Sequence, residues 1–345
     1  MTAGYSIIGN QPYTMMLAAQ DASGATIIGA GAPTFTLTSG SSALAVSGSG
    51  NTATVQVQSY SSAPVEMTVT PSQGSVANIA FTTVQELWVA NFNNSTVTAY
   101  VPGTNTAISA DTISASVNFP QALAFDARGH LWVANFTNNT VTAYVPGTNT
   151  AIAADTITAS LSEPSGLAFD ASGHLWVASF NINAVSAYVP GSNTAIAADT
   201  ITGVSLPSGL AFDASGHLWV ANLGNNTVTA YVPGTNTAIS ADTITGLIGP
   251  IAVAFDASGH LWVLNNGSFT VTAYAPGINT AITADTISAS MNVPQALAFD
   301  ANGNLWVSNA VNNTVTAYVP GTNTAIAADT ISVSLSGPSG LAFTP

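Results

Sequence analysis

The tryptophans of this chain recur at a nearly constant spacing, and this period constrains the fold more than any other feature. The six of them lie 44, 44, 43, 43 and 44 residues apart, at Trp88, Trp132, Trp176, Trp219, Trp262 and Trp306. Each belongs to a close copy of the segment 164–205, and such copies fill the chain after about residue 76. A repeat of this length that contains several short strands is typical of a β-propeller. The sequence therefore predicts an all-β fold built on a six-bladed β-propeller.

Each repeat is interpreted as four strands, named a to d. In the third copy, strand a covers Gly166–Phe169 and the turn Asp170–Gly173 joins it to strand b, His174–Ala178. Strand c covers Ala184–Val189, and strand d is the weaker run Ala195–Thr202. A Pro-Gly pair ends strand c in every copy, since proline cannot donate to a strand ladder.

A single sheet of this kind has two apolar faces and cannot cover both by itself. Stacking the sheets around an axis covers each face with a neighbouring blade. Burying one large apolar side chain stabilises a fold by roughly 1.5–3 kcal/mol. We therefore expect the interfaces between blades to dominate the stability of the propeller.

The copies of strand a determine how the ring closes. Strands b, c and d occur six times, but strand a occurs seven times, because Val76–Phe81 and Pro338–Phe343 both match it. The first of these has lost the Asp-x-x-Gly turn. We therefore predict a propeller over 76–345 that is closed by the C-terminal strand, which lies beside Leu87–Ala90, with Val76–Phe81 as a linker or outer addition. The closing residues are Gly340, Leu341, Ala342 and Phe343.

A second arrangement of the chain ends remains open. In it, Val76–Phe81 fills the first position of strand a. The C-terminal strand is then free to pair with the sheet edge of a neighbouring molecule.

Residues 1–75 do not share the repeat. They show seven short alternating runs separated by turn-rich pieces. The runs are Tyr5–Ile8, Tyr13–Gln20, Ala25–Gly29, Thr34–Thr38, Leu44–Ser47, Thr52–Gln58 and Val65–Thr70. This number of strands fits a small β-sandwich, and the length and pattern resemble bacterial immunoglobulin-like modules. We predict that an immunoglobulin-like β-sandwich over 1–75 precedes the propeller as a spacer or docking module.

The repeat itself resembles a known group of propellers. The run G-L-A-F-D-A-S-G-H-L-W-V-A-N at 209–222, followed by N-T-V, is similar to NHL repeats and to the streptogramin-lyase-like six-bladed propellers. The resemblance covers about 270 residues. Enzymes resembling this group use scattered carboxylates, histidines and asparagines in the central funnel. The near-identical blades show no such blade-specific set, and Glu163 is the one acidic residue between a strand d and the next strand a.

The charge of the chain excludes several functions. It has no lysine, a single arginine and fifteen acidic residues, which give a formal net charge of −14. Binding to nucleic acid or to an anionic membrane needs clustered cations, so we exclude both. No apolar run reaches the roughly 18 residues that a membrane span needs. A lysine-free chain rich in Thr and Asn favours an extracellular or cell-surface location, and the first residues lack the features of a signal peptide.

Three rings of ionisable residues recur around the predicted axis. Four histidines share the position after the a–b turn: His130, His174, His217 and His260. Aspartates begin that turn at Asp126, Asp170, Asp213, Asp256 and Asp300. A second aspartate ring lies in strand d, at Asp111, Asp155, Asp199, Asp242, Asp285 and Asp329. We expect turn-closing and capping roles for these rings, because one ligand from each blade does not assemble a metal site. No cofactor is predicted.

Neutral amides supply the candidate binding face. A polar residue ends strand b in every blade, at Asn91, Asn135, Ser179, Asn222, Asn265 and Asn309. We expect these side chains to rim the face formed by the b–c and d–a loops, where neutral amides suit sugars or polymer chains. The b–c loops also carry Asn-x-Ser/Thr sequences, which are candidate glycosylation sites. These are Asn94, Asn138, Asn225, Asn266 and Asn312.

Three classes of function are consistent with these observations. Repeat identity and the spare strand favour a structural or assembly protein of a cell surface, filament or surface layer, which would associate with itself or with other surface proteins. The alternatives are a glycan- or peptide-binding propeller and a lyase- or lactonase-type enzyme. Because few groups titrate, we also expect stability to vary little between neutral and strongly acid pH.

Overall fold

The computed structural model describes seven N-terminal strands together with residues 85–275 and 277–345. The chain divides into two compact units. The first comprises Met1–Glu86 with Thr344–Pro345, and the second is Leu87–Phe343. Among the described residues, no helix is both long and apolar enough to cross a membrane.

The N-terminal strands form two sheets. A four-stranded sheet has the order Thr2–Ile8, Ala77–Val84, Val65–Thr70 and Thr34–Leu37, and its first pair is parallel. A three-stranded antiparallel sheet has the order Tyr13–Met16, Thr52–Val57 and Leu44–Ser49. The segments that join these strands, including the strand predicted at 25–29, lie outside the described residues. The immunoglobulin-like sandwich therefore stays a prediction.

The second unit contains six antiparallel sheets, which are the six predicted blades. Strand a covers Pro338–Phe343, Pro120–Phe125, Pro164–Phe169, Pro207–Phe212, Pro250–Phe255 and Pro294–Phe299 in blades 1 to 6. Strand b covers Leu87–Asn91, Leu131–Asn135, Leu175–Ser179, Leu218–Asn222, Leu261–Asn265 and Leu305–Asn309. Strand c covers Thr96–Val101, Thr140–Tyr144, Ala184–Tyr188, Thr227–Val232, Thr270–Tyr274 and Thr314–Tyr318.

Strand d varies most in length between the blades, as its weak strand pattern in the sequence predicts. It covers Thr106–Ile113, Thr237–Ile244, Ala281–Ile287 and Ala325–Ile331 in blades 1, 4, 5 and 6. In blade 3 a 3₁₀ turn at Ala197–Asp199 precedes the short strand Ile201–Thr202. Blade 2 has a 3₁₀ turn at Ala153–Asp155 and two isolated bridges to strand c. The outer edge is irregular because its residues contact fewer neighbours than those of strand b.

The ring closes with strands from both ends of the second unit. Pro338–Phe343 pairs antiparallel with Leu87–Asn91, so that Phe343 faces Leu87 and Leu341 faces Val89. Ala77–Val84 pairs instead with Thr2–Ile8 and Val65–Thr70. The boundary proposed at residue 75 thus differs from the observed division after Glu86. The physical reason is that the C-terminal copy occupies the ladder beside Leu87–Asn91.

The core lies in the interfaces between consecutive blades, called seams below. Every residue of each strand b is buried, since strand b has a seam on both faces. In each seam, the tryptophan of one blade meets the last phenylalanine of strand a in the next blade edge to face, with ring centroids 5.7–6.2 Å apart. Such pairs stabilise by about 0.5–1.5 kcal/mol beyond their buried area. The pair Trp306–Phe343 repeats this contact across the closing strand.

Polar contacts also join the blades. In the seam between blades 1 and 2, the Tyr144 hydroxyl donates to the Ala115 carbonyl at 2.8 Å. Asn149 Oδ1 accepts from the amides of Ser114 and Ala115, both at 2.8 Å. Asn149 lies just after the Pro-Gly pair of blade 2, so the Asn-rich turn ties its blade to the one before it.

Candidate functional site at the propeller hub

At the a–b turns of blades 2 to 5, the aspartate, the histidine and the tryptophan of strand b form one hydrogen-bonded network. Asp170 Oδ1 accepts from the amides of Ser172 and His174, both at 2.9 Å. Its Oδ2 accepts from Trp176 Nε1 at 3.0 Å and lies 3.2 Å from His174 Nδ1. The same arrangement recurs in blades 2, 4 and 5. The capping role predicted for these aspartates is therefore confirmed, and the histidines lie against them.

Blades 6 and 1 depart from this pattern. In blade 6, Asn304 replaces the histidine and donates from Nδ2 to Asp300 Oδ2 at 2.9 Å. After strand a of blade 1, the sequence has Thr344 where the other blades have the turn aspartate. The Thr344 Oγ1 accepts from the backbone amide of Glu86 at 2.9 Å. Within the described residues, no three acidic or histidine side chains approach closely enough to hold a metal ion.

Two of the turn aspartates, Asp213 and Asp256, are acidified by their hydrogen bonds. Burial by itself raises the pKa of Asp213 and of Asp256. Hydrogen bonds from the Trp219 indole and the His217 amide outweigh burial and hold the pKa of Asp213 below its usual value. Trp262 and the His260 amide do the same for the pKa of Asp256. These carboxylates are therefore ionised structural acceptors rather than proton donors.

Two strand d aspartates have pKa values shifted in the opposite direction. Burial raises the pKa of Asp111. Burial and the charge of Asp300 together raise the pKa of Asp329. A side chain on Gly103, in the Pro-Gly turn of blade 1, would lie 3.3 Å from Asp329 Oδ1 of blade 6. The strand d ring thus lies at the outer part of the seams and does not converge on one point.

The ring of amides that ends strand b is buried and does not form the predicted binding face. Asn135 is 0% exposed. Its Nδ2 donates to Thr142 Oγ1 at 3.0 Å, and its Oδ1 accepts from the Asn118 amide at 2.9 Å. Equivalent bonds hold Asn91, Asn222 and Asn309. The expectation of an exposed rim is wrong for these residues, because each side chain ties the d–a loop to strands b and c of its own blade.

Two members of this ring lack part of that bonding. The Asn265 Oδ1 and the Ser179 hydroxyl are buried and have no hydrogen-bond partner among the described residues. The Ser179 side chain is shorter than the carboxamides of its counterparts, so it does not reach the d–a loop.

The candidate glycosylation sites lie on the b–c loops. In four of them the asparagine is exposed and accepts a hydrogen bond from the Thr two positions later, at 2.8–3.0 Å. These are Asn94, Asn138, Asn225 and Asn312. Asn266 instead donates to the Pro294 carbonyl at 2.8 Å. The Asn-x-Thr pattern therefore has a structural role in the turn, and glycosylation stays a prediction.

A cavity of about 350 Å³ lies at the propeller axis and is called the hub cavity below. All six blades line it. Its wall includes the aliphatic residue at the centre of each strand a, at Leu341, Leu123, Leu167, Leu210, Val253 and Leu297. A neighbouring cavity of about 490 Å³ shares Phe92, Gln121 and Gln295 with it and extends to Val311 in blade 6. Together they form a continuous depression across the hub.

One side of the hub cavity is aromatic. Phe92, Phe136 and Phe180 line it, each directly after strand b in blades 1, 2 and 3. The ring of Phe92 lies 5.0 Å from that of Phe119 and 6.4 Å from that of Phe136, and Phe136 lies 6.4 Å from Phe180. The same position holds Leu223, Asn266 and Ala310 in the other blades. Repeat symmetry is thus broken where the blades meet the hub.

The second and third residues of strand a break the symmetry as well. Blades 1, 3 and 4 have Ser-Gly, and there the neighbouring strands a approach closely. A Cβ atom on Gly166 would collide with the Ser208 carbonyl, and the Ser165 hydroxyl donates to the Pro207 carbonyl at 2.8 Å. Blades 2 and 6 have Gln-Ala, and their Gln121 side chain and its counterpart line the hub cavity instead.

The polar groups of the hub cavity are neutral. None of the described residues that line it has an ionisable side chain. Gln295 Nε2 donates to the Val293 carbonyl at 3.4 Å, whereas no hydrogen bond involves the Gln121 amide within the described residues. Glu163 is not among the lining residues, and its backbone amide donates to Asn139 Oδ1. Among the described residues, the hub therefore offers apolar surface and one free amide group, that of Gln121, but no general acid or base.

This site was not predicted from the sequence, because the repeat pattern consists of the residues that the blades share. The varying positions were visible in the sequence, as Phe, Phe, Phe, Leu, Asn and Ala after strand b. Nothing in the linear pattern shows that they face the same cavity as Gln121 and Gln295.

These features define the chain as a six-bladed β-propeller with a neutral, partly aromatic hub. It matches no protein-family model, and no curated protein sequence is significantly similar to it. Solved structures share the fold. A chain of a nidogen/laminin complex is 16% identical, with a TM-score of 0.62 over 76% of this chain and 98% of that one.

Two bacterial propellers are also similar. A virginiamycin B lyase from Staphylococcus aureus, solved with quinupristin, is 11% identical with a TM-score of 0.53 over 97% of each chain. A proposed 6-phosphogluconolactonase from Bacteroides uniformis is 14% identical, with a TM-score of 0.54 over 81% of this chain and 94% of that one. At these identities the likeness shows the fold alone.

Proposed function

We propose that this propeller is a peptide-binding module whose hub cavity takes up an apolar side chain of a protein partner. The observation that supports this function is the neutral lining of the hub, which combines three phenylalanines of blades 1 to 3 with the Gln121 side-chain amide of blade 2, unpaired among the described residues. Protein interfaces commonly depend on one apolar anchor that fills a desolvated pocket. A glutamine side chain offers both a donor and an acceptor to a peptide backbone.

A peptide suits this lining better than a sugar. A sugar presents many hydroxyl groups that need partners, and the hub has few free polar groups. The cavity of about 350 Å³ is also within the size range of ligand pockets. In one similar structure the propeller fold occurs in a complex of two proteins, nidogen and laminin.

The lyase and lactonase activities of the other similar propellers are not extended to this chain. Acid–base chemistry requires a titratable group within hydrogen-bond reach of the substrate. The hub lining has no such group among the described residues.

The test is binding of short uncharged peptides that differ only at a central residue. We expect peptides with Phe or Leu at that residue to bind more tightly than those with Ala, and peptides with Asp or Lys to bind least. Phe136→Ala removes one wall of the pocket and should weaken binding about tenfold or more, since an anchor contact is worth about 2 kcal/mol. Val145→Ala, at an exposed residue after strand c, is the matched control and should not change binding.

A parallel measurement with neutral oligosaccharides separates the two ligand classes. If sugars bind, peptides do not, and Phe136→Ala abolishes sugar binding, the hub is a glycan site and the peptide proposal fails. Equal binding of Phe, Ala and Asp peptides would also refute it.

An assembly role on a cell surface is a second candidate. It is favoured by side chains exposed by 41–46% that recur at the outer end of strand c, at Val145, Val189 and Val319. The lysine-free composition supports the extracellular location that this role requires. Electron microscopy of native material tests it, and particles that stay monomeric at all concentrations would contradict it.

A further inference from the structure

Away from the hub, a cavity of about 470 Å³ lies in the seam between blades 4 and 5. It is called the seam cavity below. Its apolar lining includes Trp219, Phe255, Tyr274 and Ile278, and Asp242 of strand d faces it as well. It shares no residue with the hub cavity, so a ligand bound here is independent of the proposed function.

The d–a loop beside the seam cavity is short. Between the last isoleucine of strand d and the proline of the next strand a, the loop 114–119 has six residues, but the loop 245–249 has only five. In the short loop, Gly246 adopts a left-handed conformation with φ +77°. Hydrogen bonding across this seam is poorer than in the seam between blades 1 and 2, since among the described residues Asn279 Oδ1 accepts only the Thr245 amide, at 3.2 Å.

Two aromatic side chains of this seam are partly accessible. Trp219 and Tyr274 are each 6% exposed, whereas the other five tryptophans are at most 1% exposed. The Tyr274 hydroxyl accepts from the Thr272 hydroxyl and donates to no backbone carbonyl among the described residues. The aromatic surface is thus available to a small molecule in the cavity.

Three carboxylates line the seam cavity, and one of them has no hydrogen-bond partner among the described residues. Asp213 also lines the cavity, but its oxygens accept from two backbone amides, the Trp219 indole and the His217 ring. Asp256 is held in the same way in blade 5. Asp242, by contrast, has no hydrogen bond or ion pair within the described part of the chain. The chain contains no lysine, and its only arginine lies in the a–b turn of blade 2.

We infer that the seam cavity binds a small organic ammonium ion with an apolar body. The ammonium group pairs with the free carboxylate of Asp242, which compensates both groups for loss of water. The apolar body lies against Trp219 and Phe255, whose ring faces attract cations as well. A partly apolar cavity with one oriented charge is the usual form of a small-molecule site.

The experiment is titration of the full-length protein with phenethylammonium chloride, measured by calorimetry and by the shift in melting temperature. The neutral isostere 2-phenylethanol and the anion 3-phenylpropanoate are titrated in parallel. We expect the ammonium ion to bind at least tenfold more tightly than the alcohol, and the anion not to bind. A second arm with N-acetyl-lysine methylamide tests whether the site takes a free amine or a lysine side chain of a partner.

Asp242→Asn keeps the shape of the residue and removes its charge, so it should weaken binding of the ammonium ion at least tenfold. Asp285→Asn alters the same position in blade 5, at the next seam, and should leave binding unchanged. Ile278→Trp, at a residue that is 53% exposed, fills the cavity and should abolish binding without touching the carboxylate. Circular dichroism establishes that each variant is folded.

Equal affinity for the ammonium ion and the alcohol would overturn the inference. So would binding that survives both Asp242→Asn and Ile278→Trp. Binding that is lost in Phe136→Ala but kept in Asp242→Asn would place the ammonium ion in the hub cavity and would likewise contradict a seam site.

Discussion

Four seams of this propeller contain a hydrogen bond from a tyrosine hydroxyl to the preceding blade, and the other two seams do not contain it among the described residues. In the seams 6/1, 1/2, 2/3 and 5/6, a tyrosine hydroxyl donates to a carbonyl of the preceding blade at 2.8–3.0 Å. The donors are Tyr100, Tyr144, Tyr188 and Tyr318. In the seams 3/4 and 4/5, the corresponding Tyr231 and Tyr274 make no such bond among the described residues.

The asparagine near each Pro-Gly pair shows the same division. At the four seams it accepts two backbone amides, as Asn193 does from Thr158 and Ala159 at 2.7 and 2.9 Å. At the other two it accepts one, at 3.2 Å, as Asn236 does from Thr202. The two weaker seams are those whose d–a loop is one residue shorter, which accounts for the two 43-residue intervals between tryptophans. A single deleted residue thus removes two hydrogen bonds from a seam.

Alkaline unfolding should give the largest effect. Burial raises the pKa of Tyr188 and of Tyr318 to about 12, and it raises the pKa of Tyr100 and Tyr144 as well. Unfolded tyrosine ionises near pH ~10, so this stabilisation is complete below that pH and is lost as the pH rises towards 12. We expect cooperative unfolding in that window, measured by circular dichroism together with phenolate absorbance. Phenolate that forms near pH 10 with the fold intact would contradict the prediction.

Lengthening the short loop between blades 4 and 5 should give the next largest effect. Replacing Thr245-Gly246 by Ser-Ala-Ser, the sequence at 114–116, restores a carbonyl for Tyr274 and a second amide for Asn279. Two new hydrogen bonds should raise the free energy of unfolding by about 1–3 kcal/mol in chemical denaturation. The same one-residue lengthening of the loop 114–119 is the control and should destabilise. An unchanged midpoint in the first variant would show that loop length does not determine seam strength.

Removing single hydroxyls should give a smaller effect. Tyr144→Phe loses one hydrogen bond and should lower the free energy of unfolding by about 1 kcal/mol. Tyr231→Phe should change it by less than about 0.5 kcal/mol, since its hydroxyl has no partner within the described part of the chain. Thermal and urea denaturation of the two variants provide the measurement, and equal losses would argue against the difference between the seams.

Acid should give the smallest effect above pH 4. The lowered pKa values of Asp213 and Asp256 contribute stability that is present above the usual aspartate pKa and is lost as the pH falls through the folded value. The raised pKa values of Asp111 and Asp329 act oppositely, because their ionisation costs stability at neutral pH and protonation relieves that cost. The two contributions offset each other, which agrees with the weak acid dependence expected from composition. A melting temperature that falls steeply between pH 7 and pH 4 would disprove this.

Much of the blade could be predicted from the sequence, but the site could not. The turn caps of Asp170 and its equivalents follow from local spacing, because the carboxylate bonds amides two and four residues away. The inward orientation of Asn135 could not be predicted, since its partner Asn118 belongs to a loop that only the closed blade brings near. The hub was missed for the same reason: Phe92, Phe136 and Gln121 become neighbours only when the ring forms.

The sequence alone determined the number of blades, the order of strands within each blade and the turns between them. These depend on contacts between residues close in the chain, which the period of about 44 residues records directly. The sequence also predicted that the C-terminal strand lies beside Leu87–Ala90, but only the tertiary structure decided between this closure and the alternative arrangement of the chain ends. Only the tertiary structure showed that the strand b amides face inward and that the varying positions meet at the hub. Those features arise from contacts between blades, and a repeating sequence does not distinguish one blade's neighbours from another's.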